Sequence, residues 1–266
     1  MSRTTKTLKS DMGWSKPDKI VVRGRDLCED LLGKINLGDM AWLEMFGRMP
    51  TPQESILFNA VSVTLVEHGL TPSALASRIT YMGAPEGIQG AVAAGLLGLG
   101  TVFVGTTEGS ARLLQEALPD PKANVDLAEL ARTIVADWHG RRAIIPGIGH
   151  PVHKPIDPRT PRLFQIAKET GFHGRYIELM QQVQKEAERV YKKELPINAT
   201  GAIGACCSEM GITWKVCRGI GVFARAIGLV GHIMEEMKNP IARDVWYRAE
   251  DEITQNALAD LAAGKK

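Results

Sequence analysis

Histidine, arginine and one stiff loop carry the reactive potential of this sequence. The run Glu67-His68-Gly69-Leu70-Thr71-Pro72-Ser73 places an imidazole between a glycine that can end one helix and a Thr-Pro pair that can start the next. At such a corner His68 either caps the preceding helix or reaches into a cleft. Residues 146–159 read PGIGHPVHKPIDPR, with four prolines and two glycines in 14 positions, which rules out helix or strand interior. This loop holds His150, His153, Lys154, Asp157 and Arg159. Its glycine N–H groups at Gly147 and Gly149, if exposed, together with Lys154, suit a phosphate-bearing ligand. No strand-GxGxxG-helix context accompanies them, so a Rossmann site is rejected. His150 and His153 lack a third ligand at convincing spacing, and no metal is expected. Arg225 lies in an apolar helical run that continues to His232. A guanidinium there must meet an anion, either an acidic side chain or a bound carboxylate.

The elements that must position these groups read as helices. Apolar residues recur at helical spacing over most of the chain, with helices expected over residues 26–35, 40–46, 53–67, 73–82, 88–98, 109–117, 126–138, 161–171, 174–191, 201–210, 214–237 and 244–263. In residues 53–67 the stripe comprises Ile56, Leu57, Ala60, Val61, Thr64 and Leu65. Residues 19–23 (KIVVR) are the best strand. The 32 Lys and Arg nearly balance 30 Asp and Glu, which argues against a nucleic-acid or membrane-coating role. Four cysteines without a CxxC pair suit a reduced, cytoplasmic protein. The first 19 residues are polar and basic, unlike a secretory leader. The uncharged run 88–107 approaches membrane-spanning length, yet its five glycines fit a tightly packed buried helix better. The Asn198-Ala199-Thr200 sequon carries no weight without a secretory route.

Taken together, HGLTPSALASR (68–78), GIGHPVHKPIDPR (147–159), LPINATG (195–201) and ARAIGLVGHIMEE (224–236) resemble the citrate synthase superfamily, nearest its short citryl-CoA lyase branch, which also forms the C-terminal module of ATP-citrate lyase. The resemblance implies a mainly α, two-subdomain helical fold with an active-site cleft. Its larger subdomain would comprise residues 1–72 plus 205–266, and a smaller, CoA-side subdomain residues 73–204. It implies a carbon–carbon lyase or synthase acting on citryl-CoA or a related 3-hydroxy-3-carboxyacyl thioester, with a CoA thioester as substrate, no metal, and a homodimer as the assembly. His68 would bond the thioester carbonyl of an acetyl-CoA enolate. His150 would contact the ketone or hydroxyl oxygen, taking the hydroxyl proton during cleavage. Arg159 and Arg225, with Arg243 lent by a partner subunit, would bind carboxylates. Gly147, Gly149, Lys154, Lys192 and Lys193 would bind CoA.

One position departs from that pattern. The resemblance implies an aspartate that moves the proton at the acetyl methyl carbon, and Thr200 stands in its place, or Asn198 in an alignment shifted by two, which cannot take the proton either. A hydroxyl is no base at neutral pH, and a general base ordinarily contributes about 10²–10⁴-fold. Three readings follow: a lyase that protonates carbon by another route, a CoA-thioester decarboxylase or hydrolase, and a non-catalytic CoA-binding partner subunit. A membrane or nucleic-acid partner is not expected. With no GxxxxGK[ST], ATP-dependent activation of citrate is not expected either.

Overall fold

The computed structural model describes residues 7–264. Residues 1–6 of the polar opening segment lie outside the described residues. The chain opens with a small antiparallel sheet, β1 (Gly13–Lys16), β2 (Lys19–Val22) and β3 (Arg25–Asp26), in the order β1-β2-β3. The helix expected over residues 26–35 is absent: a single π-helical turn, Leu27–Leu31, stands there instead. Its cause is local. The Asp26 carboxylate accepts the N–H groups of Cys28 and Glu29, and Gly33 at φ +74° turns the chain away before a second turn can form.

Eleven α-helices follow among the described residues. α1 (Leu37–Phe46) is capped by Asn36, and α2 (Pro52–Val66) starts from a full capping box between Thr51 and Glu54 with Pro52 in its first turn. α2 buries Leu57, Phe58, Val61 and Leu65, whereas Ile56, counted in the expected stripe, is exposed. The true face is rotated toward Phe58 because Trp42 of α1 meets that ring edge-on at 5.3 Å. α3 (Pro72–Gly83) packs on α4 (Ile88–Leu97), and Gly95 brings them within backbone reach, since a Cβ there would fall 2.8 Å from the Ser73 carbonyl. The uncharged run 88–107 is split, because α4 stops at Leu97 and α5 (Gly105–Ala117) begins anew.

α6 (Leu127–Gly140) lies on α8 (Arg175–Tyr191), and α7 (Arg159–Glu169) lies on α2 and α9 (Ala199–Glu209). α9 is the innermost helix, buried along nearly its whole length by Ala202, Ile203, Ala205, Cys206 and Cys207. Its C-terminal Glu209 supplies the cap α8 lacks, accepting N–H groups of Gly174, Tyr176 and Ile177. α10 (Trp214–Lys238) crosses α2, α3, α4, α5 and α9 as the central strut. It is long and apolar enough to span a membrane by length and composition, yet it is the fold's packing spine and carries buried Arg225. α11 (Ala242–Ala262) ends the fold, buried only at Ala242 and touching α3. One apolar core runs unbroken from Trp42 through Leu114, Met180 and Ile203 to Ala224.

Candidate active site

His68 stands on the α2–α3 corner, exposed, with Gly69 at φ +71° turning the chain beside it. Thr71 caps α3 through the Ala74 N–H, fixing where the corner re-enters a helix. Glu67 steadies the corner: one carboxylate oxygen accepts the His68 backbone N–H at 2.8 Å, and the other lies 3.0 Å from Nε2 of His232 without hydrogen-bond alignment. His232 Nδ1 faces the Arg78 guanidinium at 3.0 and 3.1 Å. Arg78 in turn pairs with Glu236 at 2.9 Å and with Glu235. Glu236 also accepts the N–H groups of Ile241 and Ala242, so one carboxylate joins this polar chain to the start of α11. The resemblance assigned none of these four partners, although Arg78, His232, Glu235 and Glu236 all fall inside motifs that carried it.

Arg225 lies under the same corner, 7% exposed. Its Nε donates to the Leu65 carbonyl at 3.2 Å and its Nη1 to the Thr71 hydroxyl at 3.3 Å. Of the two expectations for this residue, the intramolecular carboxylate is not met: no acidic side chain among the described residues lies within ion-pair distance of it. Burial lowers its pKa, opposed by the charge of Glu67. A buried guanidinium bonded only to neutral oxygens retains its appetite for an anion.

The proline-rich loop reaches the site from the other side. Here the glycines do not offer a phosphate nest: Gly149 gives its N–H to the Pro196 carbonyl at 2.7 Å, and Gly147 is buried. Both adopt left-handed φ, +86° and +87°. At Gly147 the reason is close approach, because a Cβ would fall 2.5 Å from the Cα of Gly201 at the start of α9. Asn198 caps α9 through the Gly201 N–H and ties its side-chain amide to the Gly149 carbonyl. Asp157, fully buried, accepts from the Arg159 guanidinium at 2.9 and 2.8 Å, from the Arg159 N–H and from the Ala199 N–H. Burial pushes its carboxyl pKa up, but the Arg159 fork and these N–H groups outweigh that and hold it below the usual range. Arg159 thus keeps its Nη1 edge for another ligand while Asp157 fixes its plane.

Three imidazoles meet at the centre. The His68 ring lies 6.2 Å from that of His150 and 6.0 Å from that of His153, and the latter two are 4.3 Å apart. His150 Nδ1 accepts the backbone N–H groups of Val152 at 3.1 Å and His153 at 2.9 Å. An acceptor Nδ1 puts the proton of the neutral ring on Nε2. Burial, and secondarily His153, lowers the pKa of His150, which favours the neutral ring. His150 therefore carries its proton on Nε2. This corrects the expectation that it takes the hydroxyl proton, because Nε2 has no lone pair to accept one. One nitrogen of each of the three rings lies within 4.8 Å of the others, so the fold places His68 as the third potential ligand that the sequence spacing did not supply.

Thr200 sits in the first turn of α9, half-buried, and donates its hydroxyl proton to Asn198 Oδ1 at 2.7 Å. Arg243 is exposed in the first turn of α11, and no hydrogen bond or ion pair joins it to the histidines among the described residues. Lys154 and Lys192 are exposed beside the cleft loops. Lys193, with His139, Arg142, Ile144, Ile148 and Tyr191, lines a separate cavity of about 350 Å³ next to the loop.

Known proteins share this fold. A structure of citryl-CoA lyase from Hydrogenobacter thermophilus superposes with a TM-score of 0.78 at 32% identity, covering 88% of both chains. ATP citrate lyase from Methanothrix soehngenii, solved with citrate and coenzyme A, shares the fold at a TM-score of 0.72 and 22% identity, over 89% of this chain and 40% of that one. A probable ATP-citrate synthase of Dictyostelium discoideum is 25% identical over 84% of this chain, which spans 37% of that relative's length. Residues 20–245, which hold all the site residues described above, match the family described as citrate synthase, C-terminal domain. With the corner histidine, the loop histidine and the buried arginine all inside that match, the chain belongs to the citrate synthase family.

Proposed function

We propose that the chain is a citryl-CoA-lyase-like enzyme, interconverting citryl-CoA, or a related 3-hydroxy-3-carboxyacyl thioester, with acetyl-CoA and oxaloacetate. The observation that carries this reading is Arg225: a buried guanidinium with no protein carboxylate, directly under the corner that bears His68. Arg159, oriented by Asp157, supplies a second anion fork. Substrate carboxylates held by these two groups bring the scissile bond between His68 and His150. His150 gives its Nε2–H to the oxygen on the carbon that becomes the ketone. His68 stabilises the charge that develops on the thioester oxygen as the bond breaks. The cavity beside the loop, lined by Arg142, Lys193 and Tyr191 among others, suits the nucleotide end of coenzyme A. Lys154 and Lys192 lie nearby as further phosphate partners.

Cytoplasmic residence and a homodimer belong to the same proposal. Ile227, Val230, Met234 and Met237 of α10 and Trp246 and Tyr247 of α11 remain exposed, which suits burial against a second copy that lends Arg243. Nothing at the site favours a decarboxylase, a hydrolase or a silent partner over a lyase. Incubation of the purified protein with citryl-CoA, followed by mass spectrometry, should show acetyl-CoA and oxaloacetate accumulating together. Binding without turnover would refute the reading.

Thr200 does not act as the base, because a hydroxyl needs a stronger base to take its proton and its partner is the amide oxygen of Asn198. Thr200→Asp is expected to change turnover by less than about tenfold, well short of the 10²–10⁴-fold of a working base. The new carboxylate would face Asn198 Oδ1, an acceptor already bonded to the Gly201 N–H, and be repelled from the Thr200 position. A gain of two orders of magnitude in citryl-CoA cleavage would show instead that this position is where the base is wanted.

A further inference from the structure

Cleavage needs a group that takes the C3 hydroxyl proton and delivers a proton to the methylene carbon, and most candidates around the cleft are already committed. Thr200 gives its proton to Asn198. Glu67 holds the corner, accepting the His68 N–H with one oxygen and facing His232 with the other. Asp157 is buried beneath Arg159 and the Ala199 N–H. His150 is held as a donor by its two backbone contacts. His68 is the group assigned to the thioester oxygen.

His153 remains. Its ring is half-buried, tilted 31° against His150, and neither of its ring nitrogens makes a protein hydrogen bond among the described residues. Its backbone N–H, by contrast, is fixed on His150 Nδ1, so the loop that carries the ring is pinned. One nitrogen from each of the three histidines lies within 4.8 Å of the others. An atom centred in a triangle of that size is no more than about 2.8 Å from any corner, which is hydrogen-bond reach.

We propose that His153 is the proton-transfer residue of the reaction, resting on the lyase reading above. In cleavage, neutral His153 takes the proton from the C3 hydroxyl. The oxygen forms the ketone as the carbon–carbon bond breaks, and its electron pair becomes the enolate of the acetyl thioester. His153, now imidazolium, returns the proton to the methylene carbon to give the methyl group, and is neutral again. Throughout, His150 hydrogen-bonds the ketone oxygen and His68 the enolate oxygen. No external acid, base or redox partner is consumed.

The test compares wild type with His153→Gln and His153→Ala, each checked for wild-type melting and acetyl-CoA binding. With citryl-CoA, His153→Gln is expected to lose about 10²–10⁴-fold in kcat with KM changed less than about threefold. Added imidazole should restore part of the turnover of His153→Ala. Exchange of the acetyl-CoA methyl protons into deuterated water in the presence of oxaloacetate should slow in parallel. If wild type turns over citryl-CoA and His153→Gln stays within about threefold of it, the assignment falls while the lyase reading stands. A wild type that binds citryl-CoA without cleaving it overturns both. Variants that melt early are replaced by His153→Asn, judged by the same kcat criterion.

Discussion

Replacing Arg225 by Met is expected to raise the KM for citryl-CoA by about 10²–10³-fold while the melting temperature stays level or rises. Two physical effects separate here. Charged hydrogen bonds contribute about 1.5–3 kcal/mol each, and a carboxylate fork makes two of them. The folded apo protein, however, keeps this guanidinium buried on two neutral oxygens, with its pKa lowered by burial. A methionine of similar reach in α10 removes that desolvation and preserves helix propensity. Arg225→Lys should recover little, since an ammonium cannot reproduce the fork. Steady-state kinetics and calorimetry on the same preparations decide it: a melting temperature lowered by more than about 5 °C with an unchanged KM would make Arg225 a structural residue.

The second large effect belongs to His150. His150→Gln should lower kcat by about 10²–10⁴-fold, because the amide can still donate a proton but hangs at a different reach and cannot hold the Val152 and His153 N–H groups in the same way. Its pH signature has a definite sign. The folded pKa lies below the ordinary histidine value, so in the window just under that value the unfolded chain binds a proton that the folded chain does not. Stability contributed by His150 is therefore complete above the ordinary value and declines as pH falls through the window to the depressed pKa. Protonation at Nδ1 would also break both backbone contacts. Thermal melts from pH 7.5 to pH 5 should fall more steeply for wild type than for His150→Gln; parallel curves would refute the tautomer assigned here.

Much of this was legible in the residues. Helix starts were partly legible: α2, α3 and α9 begin within two residues of where the spacing placed them, and the Thr71-Pro72 pair had marked the start of α3. Residues 26–35 misled because three leucines at helical spacing cannot reveal that Asp26 caps a lone π turn and Gly33 ends it. The face of α2 was read one residue off because Trp42, which selects Phe58, is distant in pattern although near in sequence. At the site, His68, His150 and Arg225 were legible by type and setting. Which nitrogen of His150 carries the proton was not, since two backbone N–H directions decide it. The glycine N–H groups were misjudged for a related reason: a GxG looks open in sequence, and only the fold shows Gly149 already bonded to Pro196.

Where Gly147 meets Gly201, main chain rests on main chain, and a Cβ on either residue would fall within 2.5 Å of the other strand of backbone. A junction of that kind has no rotamers to exchange and no side-chain volume to trim. The spacing between the His150 loop and the Thr200 turn is thus a fixed gauge, set by van der Waals radii. Any change in the width of the site therefore falls to the opposite bank, at the His68 corner, where Gly69 has open space around it.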